Sequence, residues 1–272
     1  MRIARSPARS LLLCRYWSIV AVACVFSVET PSRADGVSEL DDAAARMQYA
    51  FHTGDIRGVE EAIGVVQKIA LPASWKGMKE YFSAYGQWKL AELHTDAALS
   101  GRRDERSAAS KAAAACVRSA QDATKIDPTL AEAFAMESIC SVVTARPTDA
   151  LSSGDCSKHR GLRTAQELAA SNPRVMLIAA QCTVVTGRAA TQASIERLGR
   201  VVRAFDTAKP SGPGQSDWGH AEALTMLGEA HLRAGDTIAA RDVIERALVI
   251  APDYRKAREM LAKPATRSTQ SP

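Results

Sequence analysis

Aromatic residues are scarce: five Phe, five Tyr and four Trp make up 5% of 272 residues. A chain this poor in β-branched and aromatic runs favours helix over strand. Glycine (16) and proline (11) are too few for a collagen-like chain or a low-complexity chain. Long apolar stretches are also missing. The thirteen uncharged residues of Tyr16–Val28 fall short of the roughly 20 that a membrane-spanning helix needs, which excludes a polytopic membrane protein.

Motifs with recognisable chemistry are absent as well. The five histidines (His52, His94, His159, His220, His231) are scattered and none belongs to an HExxH pair. No CxxC has zinc-ligand spacing, and no CxxCH would attach haem. A phosphate-cradling GxxxxGK[ST] and a GxSxG nucleophile turn are lacking too. Cys156 and His159 put a thiol near an imidazole, which loop proximity explains without catalysis. No catalytic residue, cofactor site or metal site is expected.

What is present is a folded-protein balance of 46% hydrophobic and 24% charged residues, with fifty alanines. Length and balance together allow one or two domains with a sizeable core and exclude a disordered chain. The formal charge of +5 at first suggests an acidic partner such as nucleic acid. Its distribution says otherwise. Residues 1–34 combine a basic leader, the apolar run and Ser32-Arg33-Ala34, the pattern of a secretory signal peptide cleaved near Ala34. That leader holds Arg2, Arg5, Arg9, Arg15 and Arg33 against Glu29, a net +4, so its removal leaves +1 of the +5. The expected location is periplasmic or secreted, with no nucleic-acid partner. A lesser alternative is a lipoprotein anchored at Cys24, where Val20-Ala21-Val22-Ala23 resembles a lipobox.

The clearest internal pattern is AEALTMLGEAHLRAGDTIAARDVIERALVIAPDY, residues 221–254. Leu224, Leu227, Ala230 and His231 recur at helical spacing, as do Ala240, Ile244, Ala247 and Leu248. Gly235-Asp236 interrupts the two runs with a left-handed-tolerant turn and a helix cap, and Ala251-Pro252-Asp253 stops the second. Arg255 to Ala262 then begin a further helix, placed to cap the open end of a stack. Degenerate copies lie upstream around Pro128, Pro173 and Pro210, and Gly54-Asp55 repeats the Gly235-Asp236 turn.

With small residues at close-approach slots and large ones where helices interlock, residues 221–254 resemble a tetratricopeptide repeat. His231 and Leu224 stand where the family usually has Tyr and Trp. The resemblance implies an all-α, right-handed solenoid of antiparallel helix hairpins over residues 35–263, with about eleven helices from Ser38 to Ala262. Residues 264–272 would form a disordered tail. WKGMKEYFSAYGQWKLAEL, Asn172-Pro173-Arg174 and Trp218-Gly219 resemble features of exported bacterial proteins of this kind.

In the resembled family the first helix of each hairpin lines a groove for peptides or helices. The corresponding stripe is Glu222, Thr225, Glu229 and Arg233, expected to meet a protein or peptide partner. The comparable upstream slots, Glu132, Ala135, Ile139 and Val143, make a more apolar groove that is either covered by another helix or open to an apolar segment. Tyr81, Tyr85 and Trp88 at i, i+4 and i+7 are read as packing. In an oxidising compartment the four cysteines beyond the leader allow three connectivities; Cys116 and Cys140, twelve residues either side of Pro128, would reach one level of a helix hairpin and are the candidate pair, with Cys156 and Cys182 then remaining. The leading expectation is therefore an exported, non-catalytic binding scaffold. The alternatives are a small-ligand site or enzyme near Tyr81, Trp88 and the 212–220 loop, and an accessory peripherally associated with an envelope complex.

Overall fold

The computed structural model describes residues 33–145, 156–183 and 188–262, with backbone alone at 33–35, 143–145 and 188–190. The expected leader (but for Arg33 and Ala34), the lipobox and the expected tail lie outside the described residues. Among the described residues the architecture is all-α. In order come α1 (Arg33–Thr53), α2 (Ile56–Lys68), a 3-10 turn at Ala73–Trp75, α3 (Lys76–Leu99), α4 (Glu105–Ile126), α5 (Ala131–Ala145), α6 (Arg160–Ala169), α7 (Pro173–Cys182), α8 (Arg188–Thr207), α9 (His220–Ala234), α10 (Thr237–Ile250) and α11 (Arg255–Ala262). None of these helices is long and apolar enough to cross a membrane.

Local chemistry sets the breaks. Gly54 and Gly235 take φ of +78° and +82°, which favour glycine, and the aspartates that follow cap the next helix. Asp55 accepts from the Gly58 N–H at 3.0 Å and Asp236 from the Ala239 N–H at 3.1 Å. Asn172 caps α7 by accepting from Arg174 and Val175, with Pro173 at the first helical position, where no intrahelical N–H bond is lost. His159 caps α6, its Nδ1 accepting from the Gly161 N–H, and Cys156 is disulfide-bonded. The neighbouring thiol and imidazole of the sequence are thus a crosslink and a cap.

Helices pack chiefly on their chain neighbours. α3 is the exception in character. Sixteen of its 24 residues are buried, so it is a central helix covered on most sides. Tyr81, Tyr85 and Trp88 are among its buried side chains, and Trp218 stacks on Tyr85 at 5.0 Å between ring centroids. Two glycines within helices permit close helix–helix approaches. A Cβ on Gly86 of α3 would fall 2.5 Å from Ile63 Cγ1, and one on Gly228 of α9 would fall 2.4 Å from Ile244 Cγ1. Cys116 of α4 is bonded to Cys140 of α5 with Cα atoms 6.1 Å apart, and Cys156 to Cys182 at 4.6 Å. A crosslink closing 24 residues stabilises by about 3 kcal/mol through restriction of the unfolded chain.

The last helix does not cap an open end. α11 packs on α10 and α9 and also on α1. Tyr254, immediately before it, lies 4.4 Å from the His52 ring and 6.2 Å from Phe51. The first and last helices of the body therefore meet, because a large aromatic group at the start of α11 gains burial against the end of α1.

Candidate functional site

Beside that meeting lies an open-sided cavity of about 370 Å³, lined by side chains of α1, α3, α5, α7, α8, α9 and the Tyr254–Lys256 segment. Its deepest charged group is Lys89 of α3, only 1% exposed. The ammonium lies 3.8 Å from the Trp88 ring centroid and 4.3 Å from that of Phe51, and donates to Glu92 Oε2 at 3.2 Å. Aromatic faces and one carboxylate together offset its burial.

Four carboxylates line the same space, in two different states. Burial raises Glu92, and Lys89 only partly opposes this. Partial burial also raises Asp96, which is exposed at the cavity's edge, despite the nearby charges of Lys256 and Arg255. Burial would also raise Glu222, but His52 at 3.5 Å, with Lys89 and its own backbone, holds it down to about 2. Glu229 is held below the ordinary range against burial by Lys256, at 3.4 Å, and by Arg233. Tyr254 is pushed well above 10.0 by burial and by Glu222, Glu92, Asp96 and Glu229. The cavity thus combines both signs of charge with buried aromatic walls.

A second depression, of about 420 Å³, lies where residues 211–218 cross α1 and α3, beside Asp41, Phe82 and Tyr85. Most of the polar groups at this crossing bond to one another. Glu132 of α5 accepts from the Tyr81 hydroxyl, from Ser216 Oγ at 2.7 Å and from Asn172 Nδ2 at 2.8 Å. Trp218 Nε1 donates to the Tyr81 oxygen at 2.7 Å, and the Gly214 N–H to Asp41 at 2.7 Å. This network fastens the loop to α1, α3, α5 and α7, while the buried Tyr85 hydroxyl beside it has no hydrogen-bond partner among the described residues. Among the described residues no three His, Cys, Asp or Glu side chains are grouped to hold a metal.

The expected contact stripe on α9 is divided. Glu229 and Arg233 stand at the cavity's rim, Arg233 with 61% of its side chain exposed. Glu222 and Thr225 do not face solvent: they are 4% and 1% exposed. Thr225 Oγ1 donates back to the Ala221 carbonyl at 2.8 Å. Glu222 accepts from the Gly219 N–H at 3.1 Å, a return cap made without a partner side chain because Gly219 has none. The cause is closure, since His52 at the end of α1 lies against the first turn of α9. The upstream slots are covered similarly. Ala135 and Ile139 are buried, Glu132 belongs to the loop network, and the Val143 side chain lies outside the described residues.

Sequence reasoning passed over Phe51, Lys89, Glu92, Asp96 and Tyr254. One signal was available: Lys89, Glu92 and Asp96 interrupt an apolar, aromatic helix at spacings of three and four, so they share a face. Nothing local connects that face to α9.

Residues 221–263 match the tetratricopeptide repeat family, so the chain carries a tetratricopeptide repeat at its C-terminal end. No curated protein matches the chain.

Proposed function

With a tetratricopeptide repeat as premise, we propose that the protein is a non-catalytic scaffold that binds a protein or peptide partner. Repeats of this family generally mediate protein–protein interaction. The observation that carries the reading is the mixed-charge cavity bounded by α3, α8 and α9 and rimmed by Glu229 and Arg233. Its walls belong to packed helices, so little ordering entropy opposes binding.

The same proposal places the protein outside the cytoplasm, periplasmic or secreted, after cleavage near Ala34. The basic and apolar pattern of residues 1–34 supports this, and so do two disulfides, which persist in oxidising compartments. Peripheral association with the envelope is compatible with it.

Crosslinked capture with the mature protein tests the scaffold. Glu229→Ala with Arg233→Ala is expected to cut recovery of the specific partner at least fivefold; unchanged recovery would remove the rim from the binding surface. Fractionation with N-terminal sequencing tests export, and a cytoplasmic protein retaining Met1 would overturn it.

A further inference from the structure

Four ring faces converge on one buried nitrogen. Lys89 of α3 is 1% exposed. From its ammonium the ring centroids lie 3.8 Å away for Trp88, 4.3 Å for Phe51, 5.6 Å for Tyr85 and 5.9 Å for Trp218. Glu92 completes the set, accepting from the same nitrogen at 3.2 Å. Each ring is thus within the roughly 6 Å over which an aromatic face attracts a cation.

Packing among the rings themselves holds them in place. Trp218 stacks on Tyr85 at 5.0 Å and meets Trp88 edge-on at 5.5 Å, and Tyr85 meets Trp88 edge-on at 6.3 Å. Trp218 is also tied through Nε1 to the Tyr81 oxygen. These three rings are at most 3% exposed and stand outside the cavity lining, whereas Phe51, Lys89 and Glu92 belong to it. The enclosure is therefore a box of aromatic faces with one carboxylate, opening on the cavity where the lysine stands. An organic ammonium is recognised by such a set: ring faces meet its charge and alkyl groups, and a carboxylate accepts one N–H.

We propose that this enclosure is a site for a small primary alkylammonium ion, kept filled by the protein's own Lys89. The occupant is tethered, so it competes at an effective concentration of about millimolar order. Below that level the unaltered protein takes up no free amine. Shortening the tether opens the site to solution through the cavity. Lys89→Ala deletes Cγ, Cδ, Cε and Nζ, and n-propylammonium supplies the same heavy atoms, with a nitrogen to place among the rings and Glu92. The assignment stands apart from the partner-binding reading, because neither the rim residues nor a peptide enters it.

Isothermal titration of the mature Lys89→Ala protein with n-propylammonium chloride tests the assignment, with 1-propanol as the neutral isostere and sodium chloride as the ionic control. The amine is expected to bind roughly tenfold more tightly than the alcohol. It should also raise the unfolding temperature of the variant toward that of the unaltered protein. Adding Glu92→Gln should weaken amine binding about threefold or more and leave the alcohol unaffected. The unaltered protein should show neither binding nor a shift. If Lys89→Ala does not fold alone, recovery on refolding from urea is read instead, and the amine should raise it where the alcohol does not. Equal action of amine and alcohol would overturn a cation site and leave an apolar gap. No action of either, in binding or in refolding, would overturn the site itself. The same affinity in the unaltered protein would place the amine elsewhere.

Discussion

The first and last hairpins turn on the same two residues and pack by different rules. Gly54-Asp55 joins α1 to α2 and Gly235-Asp236 joins α9 to α10, with nearly equal φ and the same aspartate cap. In the last hairpin the close approach is internal, with Gly228 lying beneath Ile244 and Val243. In the first, Gly58 of α2 meets Ala50 of α1 beside the turn, but the glycine at mid-helix belongs to α3, where Gly86 lies beneath Met47 of α1 and Ile63 of α2, while Gly64 of α2 has open space beside it. Gly235 also faces open space, whereas Gly54 faces the Arg255 side chain. Turn chemistry is local and repeats faithfully. The surface a hairpin packs on is set by whatever the rest of the chain brings to it.

Four measurements would break or sharpen that contrast. The largest effect is expected from Gly228→Leu, which forces a side chain into the α9–α10 contact. It should cost about 3 kcal/mol in urea unfolding. A loss under about 1 kcal/mol would mean that the last hairpin does not depend on its internal glycine.

The next concerns the joint between the two ends. Because the Glu222 carboxyl lies near 2 in the folded protein, below its ordinary 4.5, it contributes stability above pH 4.5 that is lost as pH falls toward 2. The loss should be on the order of 2 kcal/mol and should shrink in Glu222→Gln. Glu92 and Asp96, raised by burial, act with the opposite sign: the folded state gains protons before the unfolded one does, so their contribution grows as pH falls toward the ordinary carboxyl range. A stability profile flat from pH 5 to 2.5 in the unaltered protein would contradict the His52–Glu222 joint.

Smaller again is the comparison of Gly54→Ala with Gly235→Ala. Each imposes a left-handed backbone on alanine at about 1 kcal/mol. Gly54→Ala should cost a few tenths of a kcal/mol more, because its Cβ displaces Arg255, and adding Arg255→Ala should remove the excess. Equal costs in both single variants would separate α11 from the first turn. Smallest of all, Gly64→Ala should stabilise α2 by roughly 0.5–1 kcal/mol through helix propensity alone; thermal unfolding that falls would place an unseen contact there.

The last hairpin was legible because its helical period, turn and small-residue slots all lie within 34 residues. The Cys116–Cys140 level could be counted from Pro128 for the same reason. The cavity was not legible. Lys89, Glu92 and Asp96 show their common face in the α3 sequence, but Tyr254 and Glu222 join them only through contacts between the two ends of the body. The division of the α9 stripe follows from that. Glu222 and Arg233 are both polar residues on one helix, and the side chains that distant helices bring against Glu222, His52 among them, make one buried and the other exposed.

By itself, then, the sequence determined what short-range forces determine: helices from composition and period, breaks from Gly-Asp and Asn-Pro, a repeat from small residues at fixed intervals, and the +4 charge concentrated in residues 1–34. The tertiary structure decided which helix faces are wet. Burial of apolar and aromatic surface carries no directional code along the chain, so the contact of Tyr254 with His52, and the charged cavity beside it, exist only once distant helices have packed.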